Sequence, residues 1–223
     1  MCQFINVALT ENFLSTEIAD QLLNQCQVMF EKTNLRSCHL FGHQDLIYKT
    51  SYYNKKTNKE KITFYKTNSW ETFPELLIVK EYLEKLTGFQ FNFCAVMMYS
   101  NENVVIKKHR DKEIPSGSTI CGISIGATRR MQITFQSFSQ IITLIHGSLY
   151  RLLPPTNDYC FHEILPETEK CDVRYSFTFR SIPDAMHDQD IKYCSALLKS
   201  GKRKGQPCGK IVYQGEFCGI HQK

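Results

Sequence analysis

No apolar run in this sequence reaches the ~18–20 residues needed to span a bilayer. Its start, "MCQFINVALTENFLSTE", lacks a basic segment followed by a long apolar stretch, so we expect no secretory signal. Internal repeats are also absent, which excludes a solenoid or another repeat architecture.

A disulfide framework is not expected either, although the chain has ten cysteines. Seven of them are scattered through apolar segments, which is typical of reduced thiols in an intracellular protein. These seven are Cys2, Cys26, Cys38, Cys94, Cys121, Cys160 and Cys171. We therefore expect an intracellular monomer, nuclear or cytoplasmic, with no membrane among its partners.

Net charge is absent from most of the chain. Residues 189–223 contain seven of the 27 Lys and Arg residues and two of the 22 Asp and Glu residues, which leaves 20 of each sign in 1–188. The excess of +5 therefore lies entirely in the C-terminal tail, residues 189–223. A basic tail on a neutral body indicates an anionic partner, with nucleic acid as the first candidate, or otherwise a solvated charged end.

The composition, 42% hydrophobic and 22% charged, is typical of a soluble globular protein. Residues 13–30 have apolar side chains at helical spacing, and a second helix is predicted with Pro74 near its start and Gly88 past its end. The apolar positions of the first helix are Ile18, Leu22, Cys26, Met29 and Phe30, and its predicted cap is Ser15 or Thr16. The polar, basic and tyrosine-rich segment 48–65 predicts a hairpin or a mobile loop.

From residue 91 onward the pattern changes to short β-rich runs separated by Gly, Pro, Asn and Ser. Helices followed by about eight strands predict an α+β chain. We expect its core to be a double-stranded β-helix, or jelly roll, behind N-terminal helices.

One constellation of polar residues points to chemistry. "HRDKE" places His109 and Asp111 just after a predicted strand, and His162 follows about fifty residues later. Each histidine alone is more often a core residue, but two histidines and one carboxylate form the facial triad of non-haem Fe(II) oxygenases. Arg174 and Arg180 then lie six residues apart, on one face of a strand, where guanidinium groups can bind the carboxylates of a dicarboxylic acid.

At these residues the sequence resembles the AlkB family of Fe(II)/2-oxoglutarate dioxygenases, and most of all its branch that repairs alkylated DNA. The resemblance covers most of 1–185, and its best blocks lie in 91–113, 117–135, 147–166 and 174–180. It implies a dioxygenase domain in 1–188 that uses O2 and 2-oxoglutarate. It also implies the iron ligands His109, Asp111 and His162.

The resemblance assigns further roles. Tyr99 would hydrogen-bond 2-oxoglutarate, Arg174 would pair with its distal carboxylate, and Arg180 would lie near the metal-bound end and Asp111. Thr178 would line the same pocket. On the substrate side, Glu113 matches a residue that contacts the damaged base, and Tyr53 belongs to a lid over the substrate.

Two positions depart from the family pattern. Met97 stands where the family usually has asparagine, so one contact with the cosubstrate is missing or is supplied by another residue. Tyr48 stands where DNA-repair relatives tend to have arginine, which leaves open a preference for DNA or RNA. His146 has no partner motif and is predicted to be structural.

The tail contains Cys194, Cys208, Cys218 and His221. Three thiols and one imidazole match a tetrahedral structural zinc site, and about 30 residues cannot form a hydrophobic core without such a site. The tail resembles small Cys/His modules in proteins of large DNA viruses. The alternative is a disordered basic tail with incidental cysteines. "KSGKRKG" would carry positive charge to phosphates.

These observations leave three hypotheses for the function. The first is an oxidative demethylase that repairs N-alkylated bases in DNA and releases formaldehyde. The second is the same chemistry on RNA. The third is a nucleic-acid-binding protein with a catalytically weakened oxygenase core, for which Met97 is the only support.

Overall fold

Two helices occupy the N-terminal part of the chain in a computed structural model that describes residues 2–33, 38–43, 46–54, 59–183, 185–187, 192–212 and 221. Helix α1 spans Thr16–Thr33, and the Ser15 hydroxyl accepts the Ile18 N–H at its start, 3.4 Å away. Ser15 is therefore the cap, one of the two that were predicted, and the helix begins where this cap puts its start. Its buried face is Ala19, Leu22, Cys26 and Phe30, whereas the expected core residue Ile18 is 45% exposed.

Helix α2 spans Pro74–Thr87, within one residue of the prediction, and follows a 3₁₀ turn over Trp70–Thr72. Pro74 occupies the first turn, where its missing N–H costs nothing. Gly88 ends the helix in the left-handed region, with φ of 73°, and donates its N–H to Glu84 O. Leu76, Val79 and Leu83 are buried on the face toward the sheet.

Sixteen strands make up the rest of the described chain. In chain order they are β1 Val7–Thr10, β2 Cys38–Gly42, β3 Leu46–Asn54, β4 Lys59–Lys66, β5 Asn68–Ser69, β6 Phe93–Tyr99, β7 Ile106–His109, β8 Ile120–Gly126, β9 Arg129–Phe135, β10 Phe138–Leu144, β11 Ser148–Leu152, β12 Phe161–Ile164, β13 Arg174–Arg180, β14 Ala185–His187, β15 Lys192–Tyr193 and β16 Ile211–Val212. A one-turn helix α3, Thr156–Tyr159, precedes β12.

Two sheets form the core. The major sheet has the order β1-β11-β8-β13-β6-β2-β5, and the minor sheet has the order β10-β9-β12-β7. The pairing is antiparallel except between β2 and β5. Eight strands of these two sheets, β6 to β13, follow residue 91, and the predicted α+β fold with a two-sheet jelly-roll core behind N-terminal helices is confirmed.

The two faces of the major sheet have different partners. On β13, Tyr175, Phe177 and Phe179 belong to the cluster that packs against α1 and α2. The alternating residues Arg174, Ser176, Thr178 and Arg180 face the other side, because successive side chains of a strand point to opposite faces. A polar stripe therefore runs along the face that the minor sheet covers.

The segment predicted as a hairpin or a mobile loop is a hairpin. Strands β3 and β4 pair antiparallel from Ile47↔Lys66 to Asn54↔Lys59, and β14 pairs with the other edge of β3. No helix in the described ranges is both long and apolar enough to cross a membrane. The seven cysteines that precede the tail are present as thiols.

Candidate active site

Three metal-ligating side chains converge between the two sheets. His109 ends β7, Asp111 follows two residues later, and His162 lies on β12. The antiparallel pairing of β12 with β7 sets His162 opposite His109, with ring centroids 4.3 Å apart. The ligand atoms of the three residues all lie within 4.8 Å of one another. The fold therefore brings together the three residues that the sequence singled out.

The orientation of two of these residues is fixed by the backbone around them. His109 donates its Nδ1–H to Lys107 O at 2.8 Å, which leaves Nε2 directed at Asp111 Oδ1, 3.5 Å away. The Asn157 side chain accepts the Asp111 N–H at 2.9 Å and donates to Asp111 O at 2.8 Å. Asn157 was not predicted as a site residue, although it lies in the "PTN" motif that carried the resemblance.

The ionisation of the site suits a metal. Burial disfavours the charged form of Asp111, but Arg180 and the two histidines outweigh it and hold the pKa of this carboxyl well below its ordinary value. Burial lowers the pKa of His162 to about 4. Burial also lowers the pKa of His109, but Asp111 outweighs it and the net shift is upward. Asp111 and His162 thus have an ionised carboxylate and a neutral imidazole, the forms that bind metals.

Arg180 links the triad to Glu113. Its Nε lies 2.7 Å from Asp111 Oδ2, and its Nη1 donates to Glu113 Oε1 at 2.9 Å. Burial lowers the pKa of Arg180, but the two carboxylates outweigh it and raise the pKa. Arg180 therefore lies beside Asp111, where the resemblance put it. The Glu113 carboxylate, expected at the damaged base, is bound by this guanidinium.

Arg174 is buried with no carboxylate of the described residues beside it. Its side chain is 0% exposed, and its Nε donates to Ser124 Oγ at 2.7 Å. Nη1 and Nη2 have no well-aligned hydrogen-bond partner within the described part of the chain, although the Tyr99 phenol interacts with the guanidinium. Two buried donors without acceptors are costly, and a bidentate carboxylate would satisfy both. This geometry fits a bound dicarboxylic acid.

Tyr99 lies directly beside that guanidinium. It pairs with Arg174 in the register of β6 and β13, and Arg174 Cζ lies 4.8 Å from the centre of its ring. Burial raises the pKa of Tyr99 to about 12, so the phenol keeps its proton and can donate.

A cavity opens onto the histidines. Five of the predicted residues line it, namely Tyr99, His109, His162, Thr178 and Arg180. Six others line it that sequence reasoning did not single out, namely Ile106, Met131, Tyr150, Glu163, Ile164 and Ser176. Strand alternation could have found Ser176, because it lies between Arg174 and Thr178 on the same face of β13.

The remaining predicted residues lie elsewhere. Tyr53 is on β3, where its backbone pairs with Glu60, and its side chain lies outside the described part. Tyr48 is on the same strand and pairs with Tyr65 and Ala185.

Two further positions can be located on the major sheet. Met97 lies on β6 opposite Ser176 and packs into the cluster between the sheets. His146 accepts the Gly126 N–H on Nδ1 at 2.8 Å, and its Nε2 lies 3.3 Å from Asp20 Oδ1. These contacts join a turn to α1 and match the structural role that was predicted for His146.

A second group of ligands lies in the tail. The ligand atoms of Cys194, Cys208 and His221 lie within 4.8 Å of one another, and Cys194 Sγ is 3.3 Å from His221 Nδ1. The fourth predicted ligand, Cys218, lies outside the described residues. Three of the four predicted ligands are therefore brought together.

Two curated proteins are similar in sequence to parts of this chain. The chain is 32% identical over 123 residues to the DNA oxidative demethylase ALKBH2 of Mus musculus, across 49% of this chain and 51% of that protein. It is 26% identical over 196 residues to the alpha-ketoglutarate-dependent dioxygenase alkB homolog 3 of Bos taurus, across 80% and 67%. The chain thus spans about half the length of the ALKBH2 relative and two thirds of the other.

Solved structures and a family description agree on the fold. OsALKBH1 has a TM-score of 0.50 at 13% identity, over 81% of this chain and 99% of that chain. A Pseudomonas putida prolyl-4-hydroxylase has a TM-score of 0.50 at 11% identity, over 79% and 93%. The sequence profile of the family described as "2OG-Fe(II) oxygenase superfamily" matches residues 6–180, which include the converging triad and both arginines. The chain belongs to the 2OG-Fe(II) oxygenase superfamily.

Proposed function

We propose that this chain is an oxidative demethylase that repairs N-alkylated bases in DNA with Fe(II), 2-oxoglutarate and O2. One observation carries the proposal: three converging metal ligands lie beside Arg180, and the same face of β13 carries Arg174, a buried arginine whose terminal nitrogens lack acceptors in the described structure. A metal site and a carboxylate site in one cavity are what this cosubstrate requires.

His109, Asp111 and His162 would bind the iron. Two imidazoles and one carboxylate suit Fe(II) and leave coordination positions open. Asp111 Oδ2 is paired with Arg180, so Oδ1, which faces His109 Nε2, is the oxygen available to a metal. Asn157 fixes the Asp111 backbone from both its N–H and its C=O. Such supporting contacts hold a ligand in place before the metal binds.

Tyr99, Arg174, Thr178 and Arg180 would bind the cosubstrate. Arg174 offers two unpartnered donors to the distal carboxylate, with the Tyr99 phenol beside it. Arg180 and Thr178 lie on the same face of β13, closer to the triad. The cosubstrate would then extend along β13, with its metal-bound end near Asp111.

The substrate would enter from the side of Glu113 and the β3–β4 hairpin that carries Tyr53. When bound, Fe(II), 2-oxoglutarate and O2 supply the oxidation of the N-alkyl carbon, and the hydroxylated product breaks down to the repaired base and formaldehyde. An alkyl group inside a stacked duplex is out of reach of a cavity between two sheets, so the base has to be flipped out. The likeness to proteins named as DNA oxidative demethylases supports DNA over RNA.

The test is formaldehyde release from matched methylated DNA and RNA oligonucleotides, with succinate measured in parallel. Greater release from DNA than from RNA supports the proposal. A preference for RNA would replace it with the RNA demethylase hypothesis. Succinate formation without formaldehyde would mean that the substrate is not an alkylated base. If neither product forms, the hypothesis of a nucleic-acid-binding protein with a weakened oxygenase core remains.

For the tail, we propose a structural zinc site formed by Cys194, Cys208, Cys218 and His221. The first two thiols are buried, and with Val212 they form a separate small cluster. Cys194 N–H donates to Lys210 O at 2.7 Å, and Cys208 N–H donates to Ala196 O at 2.8 Å. These bonds form a hairpin between β15 and β16 that sets the two sulfur atoms side by side.

The tip of this hairpin is basic. It contains Lys199, Lys202, Arg203 and Lys204, and all four are exposed. Arg203 donates to Pro207 O at 2.9 Å, which supports the turn. We propose that the tail, residues 189–223, binds DNA phosphates as a module separate from the 1–188 dioxygenase domain. Elemental analysis tests the metal: wild-type chain should contain zinc, and Cys208→Ser should lose it while iron binding persists.

A further inference from the structure

Tyr150 and Tyr99 both line the cavity, but they come from different strands of the major sheet. Tyr99 is on β6, next to β13, whereas Tyr150 is on β11, beyond β8 on the other side of β13. Tyr150 pairs with Gly122 of β8, and Gly122 pairs in turn with Thr178 of β13. Thr178 pairs with Ala95 of β6. The four paired residues therefore form one row across the major sheet, on the face that lines the cavity.

The row is built around the tyrosine ring. A Cβ added to Gly122 would lie 2.0 Å from Tyr150 Cζ and 2.3 Å from its hydroxyl oxygen, which no side chain tolerates. Glycine at 122 therefore lets the phenol lie flat across β8 and reach toward β13. The Tyr150 hydroxyl interacts with the Thr178 side chain at the far end of this path.

This position brings the hydroxyl close to Arg174. The Arg174 side chain leans along the sheet to Ser124, because its Nε donates to Ser124 Oγ at 2.7 Å. Ser124 lies two residues from Gly122 on the same face of β8, so the guanidinium and the phenol occupy adjacent rows. Tyr150 and Tyr99 both line the cavity, while the Arg174 side chain is fully buried.

One position of this wall lacks the donor that the family usually has there. Met97, on the same face of β6 as Tyr99, has a thioether and cannot donate. Burial raises the pKa of Tyr150, so its phenol stays protonated. Only 4% of Tyr150 is exposed, yet it contacts the cavity, which is the position of a group that meets a ligand.

We propose that the Tyr150 hydroxyl donates a hydrogen bond to the distal carboxylate of the bound 2-oxo dicarboxylic acid, alongside Tyr99 and Arg174. Tyr150 is thus a specificity-determining residue for the cosubstrate. The inference rests on the proposed function, because it needs that acid to bind in this cavity.

The experiment measures the Kd of 2-oxoglutarate by calorimetry, with the chain loaded with Mn(II), which binds without turnover. Tyr150→Phe keeps the ring and removes the hydroxyl, and a lost hydrogen bond to a charged group raises the Kd roughly tenfold or more. Oxalate is titrated in parallel, because it offers two oxygens to a metal and has no distal carboxylate. Its Kd should stay unchanged.

Tyr175→Phe is the matched control. Tyr175 is also a buried tyrosine of the major sheet, but it points to the helix side and packs against Phe30. Removal of the Tyr175 hydroxyl should leave the Kd values of 2-oxoglutarate and oxalate at the wild-type level. A second variant, Gly122→Ala, keeps the Tyr150 hydroxyl and displaces the ring, so it should also weaken 2-oxoglutarate binding. Combined with Tyr150→Phe, it should add little.

The outcomes separate this inference from the proposed function. If wild-type chain does not bind 2-oxoglutarate, the proposed function fails. If it binds and Tyr150→Phe binds equally well, or if Tyr150→Phe loses oxalate to the same degree, only the role of Tyr150 at the distal carboxylate is overturned.

Discussion

The two-sheet core and the C-terminal tail place their proposed metal ligands in opposite structural settings. In the core, two large apolar clusters pack between the sheets and under the helices, and the triad lies at a cavity beside them. In the described part of the tail the buried cluster contains three side chains, and two of them are the ligands Cys194 and Cys208. The core can therefore fold without its metal, whereas the ligands of the tail are its core.

Positive charge is used differently in the two regions as well. Arg129 of the core is 0% exposed and donates to the carbonyl oxygens of Asn101, Val104 and Leu165. Together with Arg174 and Arg180, it serves the interior and is unavailable to a polyanion. The cations at the tip of the tail are all exposed. The contrast predicts that damage to the core removes chemistry and damage to the tail removes affinity for long DNA.

The largest expected effect is that of Asp111→Ala, which should lower iron-dependent succinate formation by more than about 100-fold, the upper range for groups that only support a ligand. The fold should persist, because Arg180 keeps its ion pair with Glu113. The measurement is succinate formation together with a thermal melt. Asp172→Ala, which removes an exposed carboxylate, is the control. Wild-type turnover in Asp111→Ala would rule out this ligand set.

Arg174→Lys should have the next largest effect. A lysine offers a point charge where the buried fork offers two parallel donors, so the 2-oxoglutarate concentration for half-maximal turnover should rise roughly tenfold or more. The matched control is Arg130→Lys on the partly exposed surface, where the arginine pairs with Glu167 at 2.9 Å. An unchanged requirement in Arg174→Lys would mean that other residues bind the carboxylate.

How much the sequence could predict differs between the regions for physical reasons. His109, Asp111, His162 and the arginine pair lie in short motifs at strand ends, where strand periodicity relates sequence spacing to direction. Tyr150 has no such signal, because its role depends on the pairing of β11 with β8 and on the missing side chain at Gly122. Register of this kind depends on contacts between residues far apart in the chain.

The sequence pattern could not predict the exposure of Ile18 either. Helical spacing admits an apolar stripe through either Ile18 or Ala19, and the packing of α1 against β8 selects Ala19. For the tail, composition and ligand spacing predicted that Cys194, Cys208 and His221 lie together. The hairpin that assembles them depends on backbone pairing between β15 and β16, which two-residue strands do not reveal in advance.

Removal of the tail should have a smaller effect that depends on the substrate. A chain ending at residue 188 keeps β14 and the whole cavity, so turnover on a short methylated oligonucleotide should stay within about twofold of wild type. On long DNA, loss of the four exposed cations of the hairpin tip should by itself lower the slope of log K against log salt by about three to four. Binding measured across a salt series checks this. Equal affinity and slope would assign the tail to another partner.

The smallest effect should come from Cys208→Ser, which keeps every Lys and Arg of the tail and removes one proposed zinc ligand. The ligands replace an apolar core in this region, so the hairpin should unfold and its cations should lose their fixed spacing. Affinity for long DNA should then fall by less than in the truncated chain, with a smaller change in salt slope, because an unfolded basic segment still attracts phosphates. Cys171→Ser, outside the tail, should change neither quantity. A Cys208→Ser variant that binds long DNA as wild type does would show that charge alone, without a zinc-ordered hairpin, accounts for the contribution of the tail.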